Sequence, residues 1–207
     1  MTPSKAIRWP AYFAFALTGC AVVWGIYTMM KPVDEVVVTM GEPYEQARKQ
    51  SRSTLTAVEP GANWAGVIDR PARLRFVDPQ FGFSTPAAKF MMISYDEHGR
   101  ISGVTMSPQI ETLPLDQTMM VVTNLQAQLR RGGWHETLVT DHPPITDSPT
   151  VRARIRECAA PTGYWQAGDK YQISVNVRCF RSDDHPKDER FLITVDVARP
   201  WLDDNPS

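Results

Sequence analysis

The chain has 207 residues, with 22 Lys and Arg against 23 Asp and Glu, for a formal net charge of −1. That balance argues against a nucleic-acid partner, which needs a basic patch. Its 17 Pro and 12 Gly are spread widely, without an internal repeat or low-complexity block, as in a fold of many short elements joined by turns.

The first element runs from Trp9 to Met30, 22 residues without an Asp, Glu, Lys, Arg or His. As a helix it would span about 33 Å, enough to cross a hydrocarbon core about 30 Å thick. The expected organisation is a cytoplasmic tail over 1–8, a transmembrane anchor over 9–30, one globular domain over 31–203 and a short tail over 204–207. Lys5 and Arg8 precede the apolar run with no acid beside them, whereas Asp34 and Glu35 follow Lys31. The positive-inside rule then puts the N-terminus in the cytoplasm and, in a bacterium, the domain in the periplasm at the inner membrane. Trp9 and Tyr12 at one end, with Trp24 and Tyr27 toward the other, suit interfacial rings.

A second reading competes. Leu17-Thr18-Gly19-Cys20 resembles a bacterial lipobox, after which Cys20 would be cleaved to the new N-terminus and carry lipid. The apolar run continues from Val22 to Met29, where a mature lipoprotein normally turns polar, and this favours the uncleaved anchor. A plain cleaved signal is disfavoured, because no small-x-small site closes the stretch. Both leading readings put the domain in the same compartment. Without Lys5 and Arg8, the only charges before residue 31, it carries 20 basic and 23 acidic groups, a net of −3.

Val36 to Met40 is a short β-branched strand, and Pro43 opens a helix to about Ser51. The helix face is weakly apolar (Tyr44, Ala47), which predicts loose packing or a surface position. Residues 52–72 lack periodicity and read as an irregular connector, with Trp64, Val67 and Ile68 able to pack on the body. Phe90 to Met106 reads as a β-hairpin turning at His98-Gly99. A two-residue turn there sets Ile93 opposite Val104 and Met91 opposite Met106. Leu115 to Arg131 is the clearest helix: Leu115, Met119, Val122, Leu125 and Leu129 make one stripe, and Gly132-Gly133 end it. A strand begins within Trp134 to Val139, and Asp141 to Pro149 is a turn-rich loop. Val151 to Cys158, Tyr164 to Ala167, Tyr171 to Phe180 and Phe191 to Ala198 read as strands. The expected fold class is α+β, a largely antiparallel sheet with one or two helices packed on a face.

A two-residue turn at Gly168-Asp169 would set Cys158 directly opposite Cys179, within disulfide reach. Oxidation there fits the periplasmic address, and the absence of C-x-x-C makes its role structural. No catalytic, metal or cofactor signature is present. His98, His135, His142 and His185 fall in turns or at strand ends without metal-ligand spacing. Asp183-Asp184-His185 with Asp188 and Glu189 lacks the ligand spacing and turn glycine of a calcium loop.

Arg152, Arg154 and Arg156 alternate along one expected strand. They would form a basic stripe able to meet an acidic partner, or an exposed face neutralised by nearby acids. Phe81, Phe83, Tyr164 and Trp165 are either interface anchors or core. The functional expectation is a non-enzymatic protein-binding domain held at the membrane. Its versions are an immunity protein that occludes a periplasm-acting toxin, or a subunit of an envelope or secretion assembly. Only the architecture of short tail, single anchor and small domain resembles periplasmic immunity proteins. The alternative is a lipid- or small-molecule-binding lipoprotein, or a hydrolase with an unfamiliar site, which predicts a deep apolar pocket with convergent polar groups.

Overall fold

A computed structural model describes residues 33–52, 55–57, 64–180 and 188–201. The expected cytoplasmic tail over 1–8, the anchor over 9–30, the lipobox with Cys20, the Asp183-Asp184-His185 triplet and the tail over 204–207 lie outside these residues. No helix among the described residues is long and apolar enough to cross a membrane.

The described residues form three helices and ten strands, an α+β fold whose main sheet is antiparallel. The chain enters through β1 (Asp34–Val38) and turns at Gly41, whose φ of +77° suits glycine. It continues into α1 (Tyr44–Gln50). This helix does not lie loosely on the surface: Tyr44 and Ala47 are buried, and Tyr44 packs on Tyr95 with ring centroids 4.8 Å apart. The segment expected to be an irregular connector supplies β2 (Trp64–Val67), a four-residue strand too short to show alternation. Neither β3 (Ala72–Phe76) nor β4 (Phe83–Ala88) was expected. Here β1 pairs parallel with β3, and β3 antiparallel with β4, in a small sheet.

The hairpin of β5 (Phe90–Tyr95) and β6 (Ile101–Ser107) has the expected register, with Ile93 opposite Val104 and Met91 opposite Met106. Its turn is wider than two residues. A bulge after Ser94 sets Tyr95 opposite Ile101, and the Asp96 carboxylate accepts the His98 and Arg100 backbone N–H groups at 2.9 Å each. Helix α2 (Leu115–Arg131) has its expected bounds and buries the whole expected stripe. After it come β7 (His135–Thr137), α3 (Pro149–Arg156), β8 (Thr162–Ala167), β9 (Tyr171–Phe180) and β10 (Arg190–Ala198).

The helix α3 overturns the strand expected over Val151 to Cys158. Val151, Ala153 and Ile155 alternate with arginines, but Ser148 accepts the Val151 N–H at 3.3 Å and Pro149 takes the first turn. A serine cap followed by Pro is a helix start, and it outweighs six residues of alternation. The disulfide between Cys158 and Cys179 is present, with Cα atoms 5.2 Å apart, but the expected route to it is wrong. The β8–β9 register pairs Ala167 with Tyr171 across a three-residue turn, and Cys158 lies beyond α3 at φ +60°. The bond ties a helix end to β9; it does not join two facing strands.

The large sheet has the order β2-β5-β6-β10-β9-β8-β7. On β10, Phe191, Ile193, Val195 and Val197 are buried, whereas the alternate residues are half-buried. The buried face joins one core with α2 and with Ile155 of α3. An aromatic group links the two sheets: Phe76 of β3 lies 5.2 Å from Tyr171 of β9, and Phe81 and Phe83 pack on Trp134. The helices meet this inner face: α1 through Tyr44 on Tyr95 of β5, α2 against β10, and α3 through Cys179, which lies in line with Val177 and Val175. The outer face carries no helix among the described residues.

Candidate functional site

The outer face is where polar and apolar groups converge in clefts, and strand alternation decides which residues reach it. Register places Val67, Met92, Thr105, Asp196, Ser174, Tyr164 and Thr137 opposite one another in a single row across all seven strands. At the centre of this row the Asp196 carboxylate is held from both sides. Thr105 Oγ1 donates to Oδ1 at 2.7 Å, and Ser174 Oγ donates to Oδ2 at 3.1 Å. No Lys, Arg or His forms an ion pair with Asp196 among the described residues.

The next row is small where it passes Asp196, with Ser94 opposite Gly103 and Gly103 opposite Ala198. Missing side-chain volume there leaves a trough of about 410 Å³ beside the carboxylate, with Tyr164 and Trp201 among its lining residues. Trp201 is positioned by its own backbone N–H, which donates to Gln172 Oε1 at 3.3 Å. Ser94 and Ser102 belong both to this trough and to a larger, mainly apolar cleft of about 910 Å³. Trp64, Val67 and Met92 line that cleft, and Trp64 is 60 % exposed. At its rim the backbone N–H groups of Arg100 and His98 hold the Asp96 carboxyl below the usual carboxylate range, against some desolvation. A third cleft of about 610 Å³ lies toward the other end of β5 and β6, where Phe90, Ile110 and Leu192 meet Lys89 and Arg178.

Of the candidate partner-binding residues singled out in the sequence, Tyr164 alone lies on this face. Phe81, Phe83 and Trp165 are 7 %, 5 % and 1 % exposed and serve the core, so they are not interface anchors. Trp134 Nε1 donates to the Phe81 carbonyl at 2.9 Å, and the Arg130 guanidinium lies 5.0 Å from the Trp165 ring centroid. The basic stripe is also corrected. On a helix Arg154 points away from Arg152 and Arg156. Arg152 is clamped by Asp147 and Asp116, and Arg156 meets Glu189 at 3.3 Å. The two carboxylates push the Arg152 pKa up, with the Asp147 hydrogen bond as the largest cause. His142 packs on Tyr164 at 4.8 Å, His98 sits in the β5–β6 turn and His135 on the edge strand. No group of three or more His, Cys, Asp or Glu among the described residues is arranged to hold a metal ion.

Sequence reasoning missed Asp196, Thr105, Ser174, Trp64 and Met92 as a group. The available signal was the lone Asp within the apolar strand of residues 190–198. No protein family model, curated protein or solved structure matches the chain.

Proposed function

We propose that this chain is a non-enzymatic protein-binding module, held at the bacterial inner membrane by residues 9–30 or by lipid on Cys20, with its domain in the periplasm. The observation that carries the reading is the outer sheet face: Val67, Phe90, Ile110 and Trp201 are large apolar side chains exposed in its clefts. Trp64, which register sets opposite Tyr95 on the other face of edge strand β2, lines the cleft of about 910 Å³ from the sheet edge. Exposed apolar groups rimmed by polar ones mark surfaces that another protein covers, and aromatic anchors supply most of the energy there. An immunity protein that occludes a toxin and a subunit of an envelope assembly both use such a face.

One observation favours a second reading. The cleft of about 910 Å³ falls within the size range of ligand pockets, and a lipid or small apolar molecule is the alternative occupant. A photo-crosslinking amino acid at Met92, on the outer face, compared in cells with the same group at exposed Met120 of α2, separates the two. A single dominant protein adduct from position 92 and none from position 120 supports the module. A ligand extracted by organic solvent from the purified protein, with no protein adduct, overturns it.

A further inference from the structure

We infer that the trough at Asp196 seats a guanidinium or ammonium group presented by an Arg or Lys side chain of the protein partner; the inference rests on the outer face being the docking surface. Charge is the first argument. Asp196 is half-buried and has no cationic partner among the described residues, and its contacts are the hydroxyls of Thr105 and Ser174. Each carboxylate oxygen keeps acceptor capacity beyond the one bond it makes. An arriving cation would find a carboxylate already oriented, because two strands fix it from opposite sides.

The walls are the second argument. Tyr164 and Trp201 line the same trough, and aromatic faces attract organic cations. A small metal ion is a poor fit, since the other side chains nearest the carboxylate are hydroxyls, not charged ligands. An anionic guest is repelled by the carboxylate itself. The third argument is continuity. Ser94 and Ser102 are shared with the apolar cleft of Trp64, Val67 and Met92. A partner segment with a basic residue beside an apolar one would fill both, the charge giving register and the apolar neighbour giving buried area.

The test uses the full chain in detergent micelles, isotope-labelled for NMR, titrated with n-butylguanidinium and with its neutral isostere N-butylurea. The expected result is saturable shifts at Thr105, Ser174, Asp196 and the Trp201 indole with the guanidinium, about tenfold weaker affinity for the urea, and loss of the shifts in Asp196→Asn. Trp201→Phe, which keeps the carboxylate, is a second variant expected to weaken the guanidinium several-fold. The photo-crosslinker at Met92 is then repeated in the Asp196→Asn chain, and its partner adduct should fall sharply. Equal response to the urea, or unchanged shifts in Asp196→Asn, overturns the cation seat while a persisting adduct leaves the docking face standing. Guanidinium-specific shifts with no adduct in any background overturn the partner as the source of the cation, together with the docking face, and point to a free amine.

Discussion

The Tyr44 ring of α1 fills the space that Gly66 of β2 leaves empty: a Cβ built on Gly66 would lie 1.6 Å from Tyr44 Oη. The same hydroxyl donates to the Thr56 carbonyl at 2.8 Å, and burial raises its pKa. Gly66→Ala must therefore displace a buried ring and break that bond, which should cost about 1–3 kcal/mol. Tyr44→Phe should cost about 1 kcal/mol and reduce the cost of Gly66→Ala, because the nearest clashing atom is gone. Urea unfolding of the two single variants and the double variant measures the coupling. Additive costs would mean that the ring does not fill this space.

Reduction of the Cys158–Cys179 bond should lower stability by about 3 kcal/mol, given its sequence separation of 21. The effect should centre on α3, which fully buries only Ile155 and is otherwise held by this tether, by half-buried Val151 and by surface ion pairs to Asp116 and Glu189. Thiol labelling of the denatured, unreduced chain should find one reactive cysteine, Cys20, or none if that residue carries lipid. Hydrogen exchange after reduction should rise first in 149–158; uniform protection loss across β9 would contradict this picture.

Tyr171 and Asp78 give the fold two pH limits. The Tyr171 hydroxyl donates to Asp78 Oδ2 at 3.0 Å, and burial, then this bond, push its pKa up to about 12. Burial acts to raise Asp78, but the N–H groups of Phe81 and Gln80 and the Tyr171 hydroxyl outweigh it and hold that carboxyl below its usual range. A raised pKa stabilises below the unfolded value and the gain is lost as pH rises through the folded one, so Tyr171 fails between about 10 and about 12. A lowered pKa stabilises above the unfolded value, so the Asp78 contribution disappears as pH falls below the unfolded 3.8. Tyr171→Phe should shallow both limbs of stability against pH, leaving the part of the alkaline limb that the raised Tyr44 supplies. An unchanged alkaline limb would assign it to another group.

Local signals in the sequence were legible where one element contains all the information. The α2 stripe and the Gly132-Gly133 stop fixed the helix ends, and facing apolar pairs matched the register of the Phe90 to Met106 segment although its turn is wider than two residues and a bulge follows Ser94. The segment ARLRF at 72–76 was equally legible, since Ala72, Leu74 and Phe76 alternate with exposed Arg73 and Arg75 between Pro71 and Asp78-Pro79. VRARIR carried two periods at once, and only the Ser148-Pro149 start distinguished them. The outer face was not legible in the same way. Asp196 meets Thr105 from 91 residues away and Ser174 from 22, because β10 inserts between β6 and β9. Strand order is a non-local property that alternation within each strand does not encode.

The arginines of α3 provide the contrast that tests the docking face. Arg152 is held by two carboxylates and Arg156 by Glu189, so their charge is already satisfied at a surface where ion pairs contribute about 0–1 kcal/mol. Arg154→Ala should change stability by less than about 0.5 kcal/mol. Neutralising all three should leave the crosslinked adduct at Met92 intact. Trp64→Ala should do the opposite, because this side chain is 60 % exposed and contributes little to the core. Its loss should leave the melting temperature within a few degrees of the parent while weakening partner capture about tenfold or more, as expected of an aromatic anchor. Capture that falls with the arginines and not with Trp64 would move the interface from the outer sheet face to α3.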